Sequence, residues 1–432
     1  MQDLPNISIV LATHNRREVV LSTLHRLAAL RTDHRVEVIV IDNASTDGTA
    51  DEIESCLPEL QLIRLQENCG SCAKAYGAEQ ANGTYILFLD DDSHPHEGSL
   101  ERMVEHFVEN PRLGAAGFTV HLPDGRRESS ALPHVFVGCG VGLRRIAYER
   151  VGGLDREFFM QAEEYDLCFR LMGAGWDVEL FEDLHVDHLK TPRSRLTERT
   201  CFYDTRNNLL VTARYIPDAF ESIYRDDVLQ RYRWIAESQG HMSANQHAEA
   251  EAMSRYNAER DWFATLRLSP GVFEELFCIK EVAERMRELR TDNVRRIVLA
   301  NLGKNIYPFV QAAKYCGIEV KAIADDYFAL GGRMYRGIPI VHSDDVSSDD
   351  IDAIVVSNMS PAHAARSQKR WSNLTDLPVV AWYADSVESD PVSAVVPVEQ
   401  AANSAEDAPF ARAFSTDPWG VGDDAVGQPT KR

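Results

Sequence analysis

Two short apolar runs, residues 7–11 (Ile-Ser-Ile-Val-Leu) and 36–41 (Val-Glu-Val-Ile-Val-Ile), constrain the fold of this chain more than any other feature. Nearly unbroken and rich in β-branched residues, they suit strands covered on both faces, as in a parallel sheet. Between them, over Glu18–Leu30, Val19, Leu21, Leu24, Leu27 and Leu30 recur at helical intervals. The rhythm continues with a strand at Gln61–Leu65, a helix at Ser71–Ala81 and a strand at Tyr85–Leu89. Such a βαβαβαβ succession predicts an open, mostly parallel, doubly wound α/β sheet. Ligands of these sheets bind at the carboxyl ends of the strands. The residues there are Thr13-His14-Asn15, Asp42 through Thr49, and Asp90-Asp91-Asp92.

A chain of 432 residues exceeds one ordinary core. After a first α/β unit over 1–215, residues 216–290 read as a polar helical connector. A second α/β rhythm fills 291–385, with strands at Arg296–Ala300, Glu319–Ala324 and Ala353–Ser357 and a helix at Tyr307–Cys316. Residues 386–432, rich in Ala, Asp, Pro, Ser and Val without periodicity, read as a disordered tail. The net charge of −22 argues against a nucleic-acid binder and against adsorption to anionic lipid. Eight cysteines lack metal-ligand spacing, Cys69 and Cys72 having no second pair, and read as free thiols of a reducing compartment. With no export signal at the start and no run of membrane-spanning length, a cytoplasmic protein is expected.

Three consecutive carboxylates after a buried strand crowd like charges at a sheet edge, and a hard cation is the simplest compensation. The alternative is a solvated acidic loop with Asp92 or Ser93 capping the next helix. Glu163 and Glu164 begin a helix, where the helix dipole favours acids in any case. Asp166 and Arg170 are spaced for a helical ion pair. Val178–Phe181 reads as a strand followed by His185 and His188, better metal candidates than isolated histidines because they lie downstream of the carboxylates. Lys190, Arg193 and Arg195 suit a loop closing over phosphates, or a plain basic loop. Gly138-Cys139-Gly140 lets backbone approach a sugar closely.

Taken in order, these segments resemble a family 2 glycosyltransferase of the GT-A fold. The matching stretches are Ile7–Arg16, Val40–Thr49, Glu67–Gly70, Gly83–Asp92, Val151–Asp155 and Glu163–Arg170. The resemblance implies that Thr13 and Asp42 contact the nucleoside base, and it places Asn15, Asn68, Lys74, Asp91 and Arg206 in the nucleotide-sugar site. It makes Asp90 and Asp92 the outer members of a DxD. Asp92 then ligates the divalent cation (Mn²⁺ or Mg²⁺), Asp90 faces ribose or the metal's water shell, and His188 completes the set, with His185 fitting less well. Glu164 stands where the family places its catalytic base, most often aspartate, with Asp166 as the second candidate. The loop after Gly70 is a residue short and lacks the family's Arg.

The resemblance further implies an inverting hexosyl or deoxyhexosyl transfer from a UDP- or dTDP-linked donor. The acceptor would be a hydroxyl of a glycan or of a lipid-linked molecule, in cell-surface polysaccharide or glycan synthesis, with the protein cytoplasmic or peripheral to the inner face of the membrane. Homo-oligomerisation is left open. A sugar nucleotidylyltransferase would need a glycine-rich loop after the first strand, and Ala12–Arg16 has none. A silent sugar-binding or scaffold protein is the other alternative. The second unit resembles small Rossmann-like domains beside sugar-modifying enzymes. Asn301–Asn305 has only Gly303 where a dinucleotide fingerprint needs three glycines, which favours a structural role even with Asp325-Asp326 after the next strand.

Overall fold

The computed structural model describes residues 6–190 and 197–383; the expected tail, and Arg193 and Arg195, lie outside them. The first unit runs β1 (Ile7–Thr13), α1 (Arg17–Ala29), β2 (Val36–Asp42), α2 (Thr49–Cys56), β3 (Gln61–Arg64), α3 (Lys74–Ala78), β4 (Tyr85–Asp90) and β5 (Ser93–Pro95). It continues with α4 (Ser99–Glu109), β6 (Leu113–His121), β7 (Arg127–Glu128), β8 (Gly140–Arg144), α5 (Arg145–Arg150), α6 (Glu163–Gly173) and β9 (Asp177–His188). The strand order is β3-β2-β1-β4-β8-β6-β9-β5, with β7 on β6.

The apolar runs lie inside because both faces of the sheet are covered. Ile7, Ile9 and Leu11 enter one core cluster, and Val10 enters the other. Ile39 and Ile41 likewise separate from Val40, and Ile86 and Phe88 from Leu87 and Leu89. Strands β3, β2, β1 and β4 are parallel, as their alternation with helices predicts. Beyond β4 the sheet is mixed: β8 runs antiparallel to β4 and β6, β9 parallel to β6, and β5 antiparallel to β9. The helix expected at Ser71–Ala81 is a 3₁₀ turn at Gly70–Ala73 followed by the short α3. His185 and His188, expected after a strand, lie within β9, which runs on to His188.

From Glu198 the chain is helical: α7 (Glu198–Tyr215), α8 (Asp218–Gln239), α9 (Met242–Ala264), α10 (Pro270–Leu276) and α11 (Ile279–Thr291). The second sheet follows with β10 (Arg296–Ala300), α12 (Tyr307–Tyr315), β11 (Glu319–Ala324), β12 (Met334–Tyr335), β13 (Ile338–Val341), β14 (Ala353–Val356), α13 (Pro361–Leu374) and β15 (Val379–Val380). Its order is β12-β13-β11-β10-β14-β15, parallel except for the β12–β13 pair. The helices join the two sheets: Phe169, Tyr224, Phe273, Phe277 and Phe309 belong to one buried cluster that contains both Val10 and Val355.

One buried amide fixes the entry to α6. Phe159, Gln161 and Ala162 all have left-handed φ values of 60°, 68° and 63°, each costing a non-glycine residue on the order of 1 kcal/mol. Asn207 of α7, fully buried, donates from Nδ2 to the carbonyls of Phe158 (2.8 Å), Met160 (2.7 Å) and Gln161 (2.7 Å). Arg206 supports it, donating to Asn207 Oδ1 (2.9 Å) and to the Glu157 carbonyl (2.6 Å). We predict that Asn207→Ala lowers unfolding stability in urea by about 2 kcal/mol or more, since buried carbonyls lose their donor; a change under about 0.5 kcal/mol contradicts this role.

Candidate active site

The carboxyl ends of β1, β2 and β4 lie side by side, with Thr13 opposite Asp42 and Ala12 opposite Asp90. Each compact turn there is made by short polar side chains bonding local backbone. Asp42 Oδ2 accepts from the Ser45 amide (3.1 Å), while its Oδ1 is buried with no hydrogen-bond partner. Asn15, at φ 53°, donates its backbone amide to the Ser45 hydroxyl (2.9 Å) and accepts the Thr46 amide on Oδ1 (2.7 Å). Asn68 accepts from Asn43 (3.2 Å) and from the Gly70 amide (2.8 Å). Gly70 is required there: at φ +66° an added Cβ would lie 2.1 Å from the Phe159 carbonyl oxygen.

The charge of the triplet is compensated by side chains. Arg16 reaches Asp91 Oδ1 and Asp92 Oδ2, both at 2.7 Å. Thr13 donates to Asp91 Oδ2 (2.8 Å), and Lys74 Nζ lies 2.5 Å from Asp90 Oδ1. Arg16 and Lys74 thus bring two positive charges to the triplet, so the cation expected there is not its sole compensation. Burial pushes the Asp91 carboxyl up to about 7 against the pull of Arg16 and Thr13. Burial acts the same way on Asp92, but hydrogen bonds from His188 and Arg16 prevail and hold it below the usual carboxylate range.

Antiparallel pairing of β5 with β9 sets Ser93 opposite His188 and carries that histidine to the triplet. Its Nε2 lies 3.3 Å from Asp92 Oδ1 and 3.9 Å from Asp90 Oδ2, and its Nδ1 3.0 Å from Glu128 Oε2. Burial opposes its charge, yet Asp92, Cys139 and Glu128 raise it to about 12. Asp90, Cys139 and His188 form a group, among the described residues, whose donor atoms all lie within 4.8 Å of one another. The carboxylate oxygens of Asp90 and Asp92 are the donors that suit Mn²⁺ or Mg²⁺, with the imidazole as a single nitrogen among them. The Cys139 thiol, raised by burial, stays protonated and is a poor third donor, whereas Asp92 Oδ1 is close at hand. Sequence reasoning did not find Glu128, Cys139 or Arg16, because only strand pairing and the β4 edge bring them here. Lys190 bonds Glu128 (2.8 Å).

Across the cleft, Lys74 also donates to the Gly138 carbonyl (2.8 Å), and the Gly138 amide donates to Glu164 Oε1 (3.4 Å). Asp90, Lys74, Gly138 and Glu164 thus form one polar chain. A Cβ on Gly138 would stand 3.1 Å from Glu164 Oε1, so the glycine leaves that carboxylate room. Burial raises Glu164, and raises Glu163 to about 8, with the neighbouring Glu164 charge adding to it. Two of the expected site residues point elsewhere. Asp166 is buried against Arg170 (2.9 Å), Arg214 (3.1 Å) and Tyr215 (2.5 Å), an ionic cluster rather than a free base. Arg206 serves the loop before α6 and pairs with Glu251 (3.0 Å).

Residues 8–162 match the family model described as Glycosyl transferase family 2, so this segment of the first unit is a glycosyltransferase family 2 region. A putative teichuronic acid biosynthesis glycosyltransferase of Bacillus subtilis (strain 168) is 29% identical over 154 residues, covering 31% of this chain and 60% of that protein. The poly-beta-1,6-N-acetyl-D-glucosamine synthase of Staphylococcus aureus (strain COL) is 32% identical over 118 residues, 27% of this chain and 28% of that protein. The chain thus spans three fifths or less of these two curated relatives. Among solved structures, a mannosyltransferase from Pyrobaculum calidifontis in complex with GDP-Man and Mn²⁺ overlaps with a TM-score of 0.42 at 19% identity, covering 59% of this chain and 76% of that one. Among the described residues no helix is long and apolar enough to cross a membrane.

Glu163 gives the site a pH signature. Because its folded state holds the proton up to about 8, against an ordinary 4.5, its favourable contribution is full below 4.5 and declines as pH rises towards 8. Chemical denaturation at pH 5 and pH 8 should show that decline in the natural chain and a flatter profile in Glu163→Gln; equal slopes in both refute the assignment.

Proposed function

We propose that the first unit transfers a sugar, with inversion, from a nucleoside-diphosphate donor to a hydroxyl acceptor in cell-surface polysaccharide or glycan synthesis. The observation that carries this reading is the polar chain from Asp90 through Lys74 and Gly138 to Glu164, with His188 on the other flank of Asp90. A diphosphate and cation bound at Asp90 would lie beside a half-buried carboxylate able to take a proton. Asp90, Asp92 and His188 would hold Mn²⁺ or Mg²⁺, which neutralises charge on a departing diphosphate. Asp42, with its unpartnered Oδ1, would accept the N3–H of a uracil or thymine base, so UDP- and dTDP-linked donors are favoured. We further read the chain as a transferase unit over 1–215, a helical connector over 216–290 and a second α/β unit over 291–385, acting in the cytoplasm.

Glu164 is assigned as the base and Asp166 as a structural residue. Glu164 removes the proton of the acceptor hydroxyl, and the oxygen bonds to the anomeric carbon. The bond from that carbon to the diphosphate oxygen breaks on the opposite face, and its electron pair leaves with the diphosphate. Raised by burial, Glu164 holds a proton more readily than an exposed glutamate, which favours acceptance near neutral pH.

Two measurements test this. In thermal shift assays with UDP, dTDP and GDP, with and without Mn²⁺, a uridine or thymidine diphosphate should raise the midpoint only when Mn²⁺ is present; no shift with any pair sinks the donor assignment. Once a donor is known, Glu164→Gln should cut its transfer or hydrolysis by about 10²-fold or more and leave nucleotide affinity within about twofold. Loss of both together points to a structural role instead.

A further inference from the structure

On the sheet face opposite His188, four histidines and a carboxylate gather with no part in the proposed transfer. His185 and Asp187 alternate with His188 along β9, so they project from its other face. Registry sets both His94 of β5 and His121 of β6 opposite Asp187, and the His96 amide bonds the His185 carbonyl (3.0 Å). The rings of His96, His121 and His185 form a nearly equilateral triangle, with centroid separations of 5.4, 5.6 and 5.2 Å.

Those separations match three rings on a shared ion, although His96 and His121 now stack at 19° and about 4.5–7 Å is also the ordinary range of ring pairs. A metal–nitrogen bond of about 2.0–2.1 Å plus about 1.1 Å to the ring centre, at tetrahedral angles, places centroids about 5.2 Å apart. Two nitrogens on one such ion lie about 3.3 Å apart, and His121 Nε2 and His185 Nδ1 are 3.1 Å apart, sharing a proton where an ion would sit. His96 Nε2 lies 3.0 Å from Asp187 Oδ1, the carboxylate–histidine arrangement that orients a ligating ring and leaves Nδ1 to bind. Burial, and then the neighbouring histidines and Arg127, keep His121 and His185 below the ordinary histidine value, so both are neutral ligands near pH 7. Arg26 faces His94 (3.3 Å) and keeps it out of the set. The His96 ring must turn to close the triangle, whereas the donor atoms of Asp90, Cys139 and His188 are already close together.

We propose that His96, His121 and His185, oriented by Asp187, bind a borderline divalent ion of the zinc class that clamps β5, β6 and β9 together on the sheet face opposite His188. Imidazole-rich sites select Zn²⁺ over the oxygen-seeking Mg²⁺ and Mn²⁺, so this site is chemically distinct from the carboxylate triplet and independent of the transferase reading.

The test is a Zn²⁺ titration of the chelator-stripped full chain by calorimetry, alongside His96→Asn, His121→Asn, His185→Asn and His188→Asn. The expected result is one zinc bound about tenfold or more weakly in each of the first three variants and retained in His188→Asn. Co²⁺ should give a tetrahedral visible absorption band that disappears in the same three. Melting curves in chelator check folding, and His96→Asn, at a half-buried position in the turn after β5, decides the matter if the strand variants melt early. Unchanged zinc uptake in His96→Asn, no zinc uptake by the natural chain, or loss confined to His188→Asn would each overturn the proposal.

Discussion

The candidate site depends on how three adjacent carboxylates are held at the end of one buried strand. Uncompensated, Asp90, Asp91 and Asp92 would repel one another, and Asp91 and Asp92 are nearly excluded from water. Arg16 takes two of them, Lys74 the third, and Thr13 adds a neutral donor. Each comes from a different strand end or helix start, so the triplet forms only when β1, β4 and α3 are in place. A cation bound there as proposed would join carboxylates already paired with side chains. Its affinity then reflects competition with Lys74 and with the proton on His188.

The acidic start of α6 is held by a different device. Three left-handed residues turn the chain into that helix, and the side chain that stabilises them belongs to α7, about forty-five residues downstream. Arg214 on the same helix anchors Asp155, Glu157 and Asp166. Both carboxylate oxygens of Asp166 are therefore engaged, one by Arg170 and the other by Arg214 and Tyr215. α7 follows the residues that match the family model, yet it sets the geometry within them.

The strands, the strand-end residues and the order of motifs were legible because continuous apolar runs between helical periods admit few arrangements. Asp42, Asp90 and Asp92 stood out as strand-end residues, whereas the roles expected of Glu164 and His188 came from the family resemblance. Arg16, the last residue of the first matching stretch, and Glu128, on a two-residue strand, were given no role, since nothing local shows which charge they meet. Arg206 was misleading for the opposite reason: its neighbourhood looks like a site motif, but tertiary packing assigns it to a loop carbonyl and Glu251. The mixed half of the first sheet was equally hidden, because antiparallel returns such as β4 to β8 need no helix of fixed period between them.

The second sheet follows the same physics to a different end. Its strand order reverses at β10, where doubly wound sheets usually offer a ligand crevice at the strand ends. Here that edge faces the first unit. Lys304, just after β10, places Nζ 3.9 Å from the Tyr165 ring centre, and Asn305 donates to the Ala131 carbonyl (3.2 Å). Ser360 bonds Ser129 (2.7 Å), and the Ala362 amide bonds that same hydroxyl (3.0 Å). A Cβ on Gly303 would lie 2.7 Å from the Ser357 carbonyl oxygen, so the one glycine kept in this loop serves close backbone packing. The missing phosphate-binding glycines are thus intelligible: the edge that would need them to cradle a dinucleotide is occupied in bracing the wall behind Glu164.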